Sequence, residues 1–157
     1  MSESKQPLAS ILHCVSAGDA SGMQGRCIRV IRSLSGEARH AVVVEGGGRL
    51  AGTDRLAANL SWPSVPPLTG APLPGRLKRL AAAMAGYDLL CTYGSGALDV
   101  ALAHTLFADV YKLAPLIHHE GAGDPARSNL YRRIALGRTA ALVVPSREAE
   151  RIALERW

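Results

Sequence analysis

Aromatic residues are scarce in this chain: they make up 4% of its 157 residues and include a single phenylalanine, so the core has to be built from aliphatic side chains. No Lys/Arg run exceeds a few residues either. With so few rings, the net charge of +5 does not amount to a nucleic-acid surface, although it permits contact with phosphates or anionic lipid. No apolar run approaches the ~18 to 20 residues needed to span a bilayer. The opening MSESKQPLAS has one lysine and no apolar stretch before a small-residue cleavage site, so no secretory signal is read and a cytoplasmic location is expected. Cysteine occurs only at Cys14, Cys27 and Cys91, each inside apolar sequence and without CxxC pairing. That spacing argues against a disulfide frame or a zinc site and for small buried thiols; no metal and no cofactor is expected.

The rest of the composition, 48% hydrophobic and 20% charged, is that of a globular protein, and the length fits one domain. Apolar, β-rich stretches alternate with segments of helical period, the pattern of a parallel sheet with helices on both faces. Strands are expected at 11–16, 41–44, 89–93, 115–118 and 140–144. The first helix places Met23, Cys27, Val30, Ile31 and Leu34 on one face. Between residues 46 and 75 three consecutive glycines and five prolines weaken the pattern; a short helix over 50–59 and a strand near Leu60 are all that can be placed. Pro74 opens a helix that stops at Gly86, with Leu77, Leu80, Ala81 and Met84 as its buried stripe. A further helix carries Leu98, Ala101, Leu102 and Leu106 on one side. Asp124 and Pro125 read as the cap and first turn of a helix ending near Arg138, and Ser146 caps the last one, which has Glu148 and Glu150 in its first turn. The pattern is cut at Trp157 in mid-helix, as in a truncated domain.

In an open parallel sheet the ligand crevice lies beyond the carboxyl ends of the strands, which singles out three loops. After the first strand, Ser21 and Gln24 have the spacing of a capping box, and the free amides around Gly22 and Met23 favour an anion. The spacing is not GxGxxG, so a nicotinamide or flavin dinucleotide is disfavoured, and a first turn that needs glycines for geometry alone is about as good an explanation. At the tip of another strand stand His118, His119 and Glu120. Adjacent strand residues point to opposite faces, so at most one of these histidines reaches a crevice, where it could hydrogen-bond a sugar hydroxyl or phosphate. Tyr93, Gly94, Ser95 and Gly96 form the third loop, with turn geometry as the plainer account. Asp99 reads as a dipole partner of its helix, and Arg76, Lys78 and Arg79 as a solvated face that could also meet anionic headgroups.

Taken together these residues resemble the N-terminal domain of family 4 retaining glycosyltransferases, over nearly the whole chain. The stretches that carry the likeness are ILHCVSAGDASGMQGRCIRVIRSL, YDLLCTYGSGALDVALAHTLF, PLIHHEG and YRRIALGRTAALVVPSREAERIALERW. The SGMQ run looks like the family's GGxE/Q turn, with Ser21 in place of its first glycine. The GAGDPARS loop is shorter and less acidic than the family pattern.

The resemblance implies one Rossmann-like half, residues 1–157, of a two-domain B-type fold whose C-terminal donor-binding domain is absent from this chain. It implies transfer of a sugar from a nucleoside-diphosphate sugar to a saccharide or lipid-linked acceptor with retention, as in cell-envelope polysaccharide biosynthesis, with peripheral contact to the inner membrane face allowed. Gly22, with Met23 beside it, would approach the donor diphosphate; His118, His119, Glu120, Tyr93 and Ser95 would meet substrate. The alternatives are a non-catalytic Rossmann-like module that binds a nucleotide or partner, and a nucleotide-sugar epimerase of the same architecture.

Overall fold

In the computed structural model the described residues are 8–18, 22–53, 56, 59–121 and 129–157. Six strands, β1 (Ala9–Val15), β2 (Ala38–Val44), β3 (Leu60–Ser61), β4 (Leu89–Tyr93), β5 (Leu116–His119) and β6 (Ala141–Val143), form one sheet in the order β3-β2-β1-β4-β5-β6. Every neighbouring pair is parallel. Strands covered on both faces need no polar side, which is why β1 is apolar apart from Ser10 and His13 and β2 apart from Arg39 and His40. The fold is thus a Rossmann-like α/β sheet, with the chain moving outward from β1 to β3 in one direction and from β4 to β6 in the other.

Side-chain alternation divides the core in two. On one face Ile11, Val15, Val42 and Cys91 pack with Met23, Cys27 and Ile31 of α1 (Met23–Ser33). On the other, Leu12, Cys14, Leu90 and Leu116 meet Leu77 and Leu80 of α2 (Pro74–Met84) and Leu98 and Ala101 of α3 (Leu98–Tyr111). Helix α4 (Asn129–Ala135) joins this second side through Ala135, and α5 (Arg147–Arg156) packs on α4. The reversal of helix side between α1 and α2 follows from right-handed crossovers run in opposite directions along one sheet. All three cysteines are buried and free.

The structure departs from the sequence reading in a few places. Strand β2 begins at Ala38, earlier than expected, and β5 is shifted by one residue to end on His119. Leu106 is 52% exposed, whereas Leu98 through His104 are buried all round the helix, Asp99 and His104 included. Helix α3 lies between α2, α4 and the sheet, so a single apolar stripe does not describe it. The start of α1 is Gly22 with φ 70° and no side-chain cap; Ser21, the expected capping residue, lies outside the described residues. So do Asp124 and Pro125, and residues 54, 55, 57 and 58 of the expected 50–59 helix. Ser146 caps α5 as expected, accepting from the Ala149 amide at 3.1 Å.

Asp99 stands in the first turn of α3, as expected of a dipole partner, but it is also fully buried, and its carboxylate is bonded by Arg76 of α2 and the Tyr131 hydroxyl of α4. The Arg76 guanidinium also donates to the carbonyls of Pro67, Gly70 and Ala71, at 3.1, 3.1 and 2.9 Å. One ion pair therefore ties the proline-rich loop, α2, α3 and α4 together, and it withdraws Arg76 from any basic surface patch. Removing one member of a buried pair leaves the other charge stranded. Asp99→Ala should lower unfolding stability by roughly 3 kcal/mol or more in urea titration, and Arg76→Met should recover part of that loss in the double variant. A loss below about 0.5 kcal/mol, the level of an ordinary surface change, would show that the clasp contributes little.

Candidate functional site

In a sheet of this order the strand direction of travel switches between β1 and β4, and the loops leaving their carboxyl ends splay apart to leave a crevice. The register brings the ends level: Val15 of β1 pairs with Val44 of β2 and with Tyr93 of β4. Ser16, Glu45 and Gly94 are therefore the first residues past three adjacent strands. Backbone bonds hold them there, from Ser16 N–H to the Tyr93 carbonyl at 2.9 Å, from Glu45 N–H to Val15 at 2.8 Å and from Gly94 N–H to His119 at 2.8 Å.

The glycines of the β4 loop are explained by what stands against them. The Ser16 hydroxyl accepts from the Gly96 amide at 2.7 Å, and Glu45 Oε2 accepts from the Ala17 amide at 2.8 Å. A Cβ on Gly96 would lie 2.0 Å from Glu45 Oε2, and one on Gly94 would lie 2.6 Å from Ser16 Oγ. Gly94 also has φ 80°, whereas Gly96 needs only the space. Gly22 is different again: its Cβ would meet nothing within 4 Å, so its constraint is the left-handed φ of 70° that turns the chain into α1. Met23 is the first helical residue; its side chain is core, leaving its amide as the group at the helix end.

Alternation separates the two histidines. His118 turns toward α3 and α4, where Nδ1 lies 2.8 Å from Thr92 Oγ1 and Nε2 lies 3.4 Å from Glu120 Oε2. Glu120 is itself buried and receives Arg132 Nε at 3.2 Å. Burial works to raise its carboxyl, and the His118 ring and the Arg132 guanidinium outweigh it, holding the carboxyl below its usual range. His119 turns to the α1 face, stacked on Tyr93 with centroids 4.5 Å apart and planes at 17°. Its Nδ1 is buried without a hydrogen-bond partner, and the side chain as a whole is largely buried.

Tyr93 is fully buried, so this ring supports His119 rather than lining the crevice. Its hydroxyl lies 3.0 Å from His13 Nδ1, and His13 Nε2 lies 3.0 Å from His40 Nδ1. His40, His13, Tyr93 and His119 thus form a polar row crossing four strands under α1, which sequence reasoning did not see because the partners sit on separate strands. Ser95 is half-buried in a single turn of 3-10 helix, Ser95–Ala97, at the mouth of α3. Ser16 and Glu45 were also missed; each follows a strand directly, which is the signal that could have found them. A cavity of about 430 Å³ opens beside Glu45, between Val44, the glycines at 46–48 and the segment from Trp62 to Leu68.

The row requires neutral imidazoles. Burial pushes His13 down to about 3, with the charges of His40 and His119 adding to it, and burial followed by Arg26 and His118 pushes His119 down to about 4. Both lie below the ~6.5 of an unfolded histidine, so below that pH the unfolded chain binds more protons than the folded one. Their stabilisation is complete above pH 6.5 and is lost as the pH falls toward 4. Urea unfolding at pH 7.5 and 5.0 should differ by about 2 kcal/mol for each of the two residues, and His13→Gln should remove about half of that difference. A stability that is flat over this interval would mean that the row does not exclude protons.

No family model matches the sequence, and no curated protein matches it. Among solved structures the chain is similar to the crystal structure of the glycosyltransferase SnogD from Streptomyces nogalater, with a TM-score of 0.44 and 18% identity over 94% of this chain. The match covers 35% of that protein, so this chain spans about a third of its length. No helix among the described residues is long and apolar enough to cross a membrane.

Proposed function

We propose that this chain is the N-terminal, acceptor-side half of a retaining glycosyltransferase of the B-type fold, acting on a nucleoside-diphosphate sugar and a saccharide or lipid-linked hydroxyl. The observation that carries the reading is the grouping of Gly22, His119, Glu45 and the Gly94–Gly96 turn along one edge of a parallel sheet, at and beside its switch point. Support also comes from the resemblance of the SGMQ and PLIHHEG stretches to the family 4 pattern. A donor-binding domain beyond Trp157 would form the opposite wall of the crevice.

In this reading the amides of Gly22 and Met23 face the leaving diphosphate. Charge that develops there in the transition state meets dipoles already oriented, which need no reorganisation when the bond breaks. His119, rather than His118, is the cleft histidine: its ring is neutral near pH 7 and offers Nε2 to a hydroxyl or phosphate oxygen. His118, Glu120 and Arg132 hold the strand tip from the opposite face. Ser95, half-buried in the turn after β4, would contact substrate there, and Tyr93 would act through His119.

Product analysis on the full-length protein tests the assignment. Incubation with a panel of nucleoside-diphosphate sugars should release free nucleoside diphosphate and glycosylate an acceptor with retained anomeric configuration. Appearance of an epimerised sugar nucleotide instead, or tight nucleotide binding without turnover, would replace this reading. Gly22→Val should cost about 1–2 kcal/mol for the left-handed φ and lower turnover roughly a hundred-fold. Turnover equal to that of the parent protein would take Gly22 out of the mechanism.

A further inference from the structure

We propose that Glu45 is a binding residue for a substrate hydroxyl, presented at the switch point by the turn after β2. The inference rests on the transferase reading above. The carboxylate is seated rather than loose. Oε2 accepts the Ala17 amide at 2.8 Å and lies so close to Gly96 that any side chain at that position would displace it. Glu45 itself is anchored through its amide to the Val15 carbonyl at 2.8 Å. Oε1, by contrast, has no hydrogen-bond partner among the described residues, and on this half-buried side chain it keeps some exposure, which leaves it open to a ligand.

An ionised carboxylate only accepts hydrogen bonds, and it repels phosphate. Of the groups that a sugar or alcohol acceptor carries, the one that fits Oε1 is a hydroxyl, which donates. The crevice then has two chemically distinct sides: the amide-rich start of α1, suited to an anion, and the Glu45 side, suited to a polyol. The 430 Å³ cavity begins at the next residue, Gly46, and extends along Trp62, Pro63 and Val65, which gives the hydroxyl-bearing molecule an apolar wall on the same side. Glu45 is assigned to the acceptor sugar or alcohol for this reason, and its role is to bind and orient that hydroxyl.

The test uses the full-length protein and compares transfer to an added acceptor with hydrolysis of the donor by water. Glu45→Gln keeps an oxygen for the Ala17 amide, so its melting temperature should stay near that of the parent. Its ratio of acceptor transfer to donor hydrolysis should fall about ten-fold or more, the loss expected for one hydrogen bond to a charged group. Gly96→Ala leaves the charge intact and pushes the carboxylate from its seat; it should give the same change of ratio. A ratio unaltered in both variants, or transfer and hydrolysis falling together, would overturn the role of Glu45 while leaving the transferase reading in place. A parent protein that releases no nucleoside diphosphate from any donor would overturn both.

Discussion

The pairing of β1 with β2 on one side and β4 on the other sets the geometry of everything at the crevice. Because Val15 is level with both Val44 and Tyr93, the chain leaves three strands at the same height, and the next residues meet one another. A slip of one residue in either pairing would turn Ser16 or Gly94 to the opposite face and separate the Gly96 amide from its acceptor. The pairing is held from both sides by apolar cores, and each core is pinned by a polar arrangement of its own: the Asp99–Arg76–Tyr131 clasp on one face, the His40–His13–Tyr93 row on the other.

Buried polar groups are worth their desolvation only when their partners are in place. The clasp joins elements distant in sequence, and the row, with His119 at its end, crosses four strands, so both discriminate between the native arrangement and compact alternatives that a purely aliphatic core of this composition would tolerate. The row does something more at its end. His119 lacks a partner for Nδ1, and the Tyr93 stack is what orients its ring, so the order built into the α1 face extends to the strand tip that borders the crevice. On the far side of the sheet, His118, Thr92, Glu120 and Arg132 hold the same tip by hydrogen bonds and charge.

In the proposed reading, the crevice has an anion-favouring side at the start of α1 and a hydroxyl-favouring side at Glu45, on neighbouring strands, as a transfer between a diphosphate sugar and an alcohol would call for. The two sides are made by different means. The first uses backbone amides released by a left-handed glycine; the second uses one side chain held in a gap that only glycine leaves open.

Much of the architecture was legible in the amino-acid order alone, for a physical reason: doubly covered strands are largely apolar and helices repeat every 3.6 residues, so β4, α2 with its stripe of Leu77, Leu80, Ala81 and Met84, and the Ser146 cap can all be read locally. The opposite directions of His118 and His119 followed from the two-residue period of a strand in the same way. What only the tertiary structure decided depends on residues far apart in the chain. Asp99 reads locally as a helix-dipole partner, and becomes a buried anchor because α2 and α4 bring Arg76 and Tyr131 to it. Glu45 carries no motif at all; strand register sets it against Ala17 and Gly96, contacts that 28 positions of separation in one case hide from any local pattern.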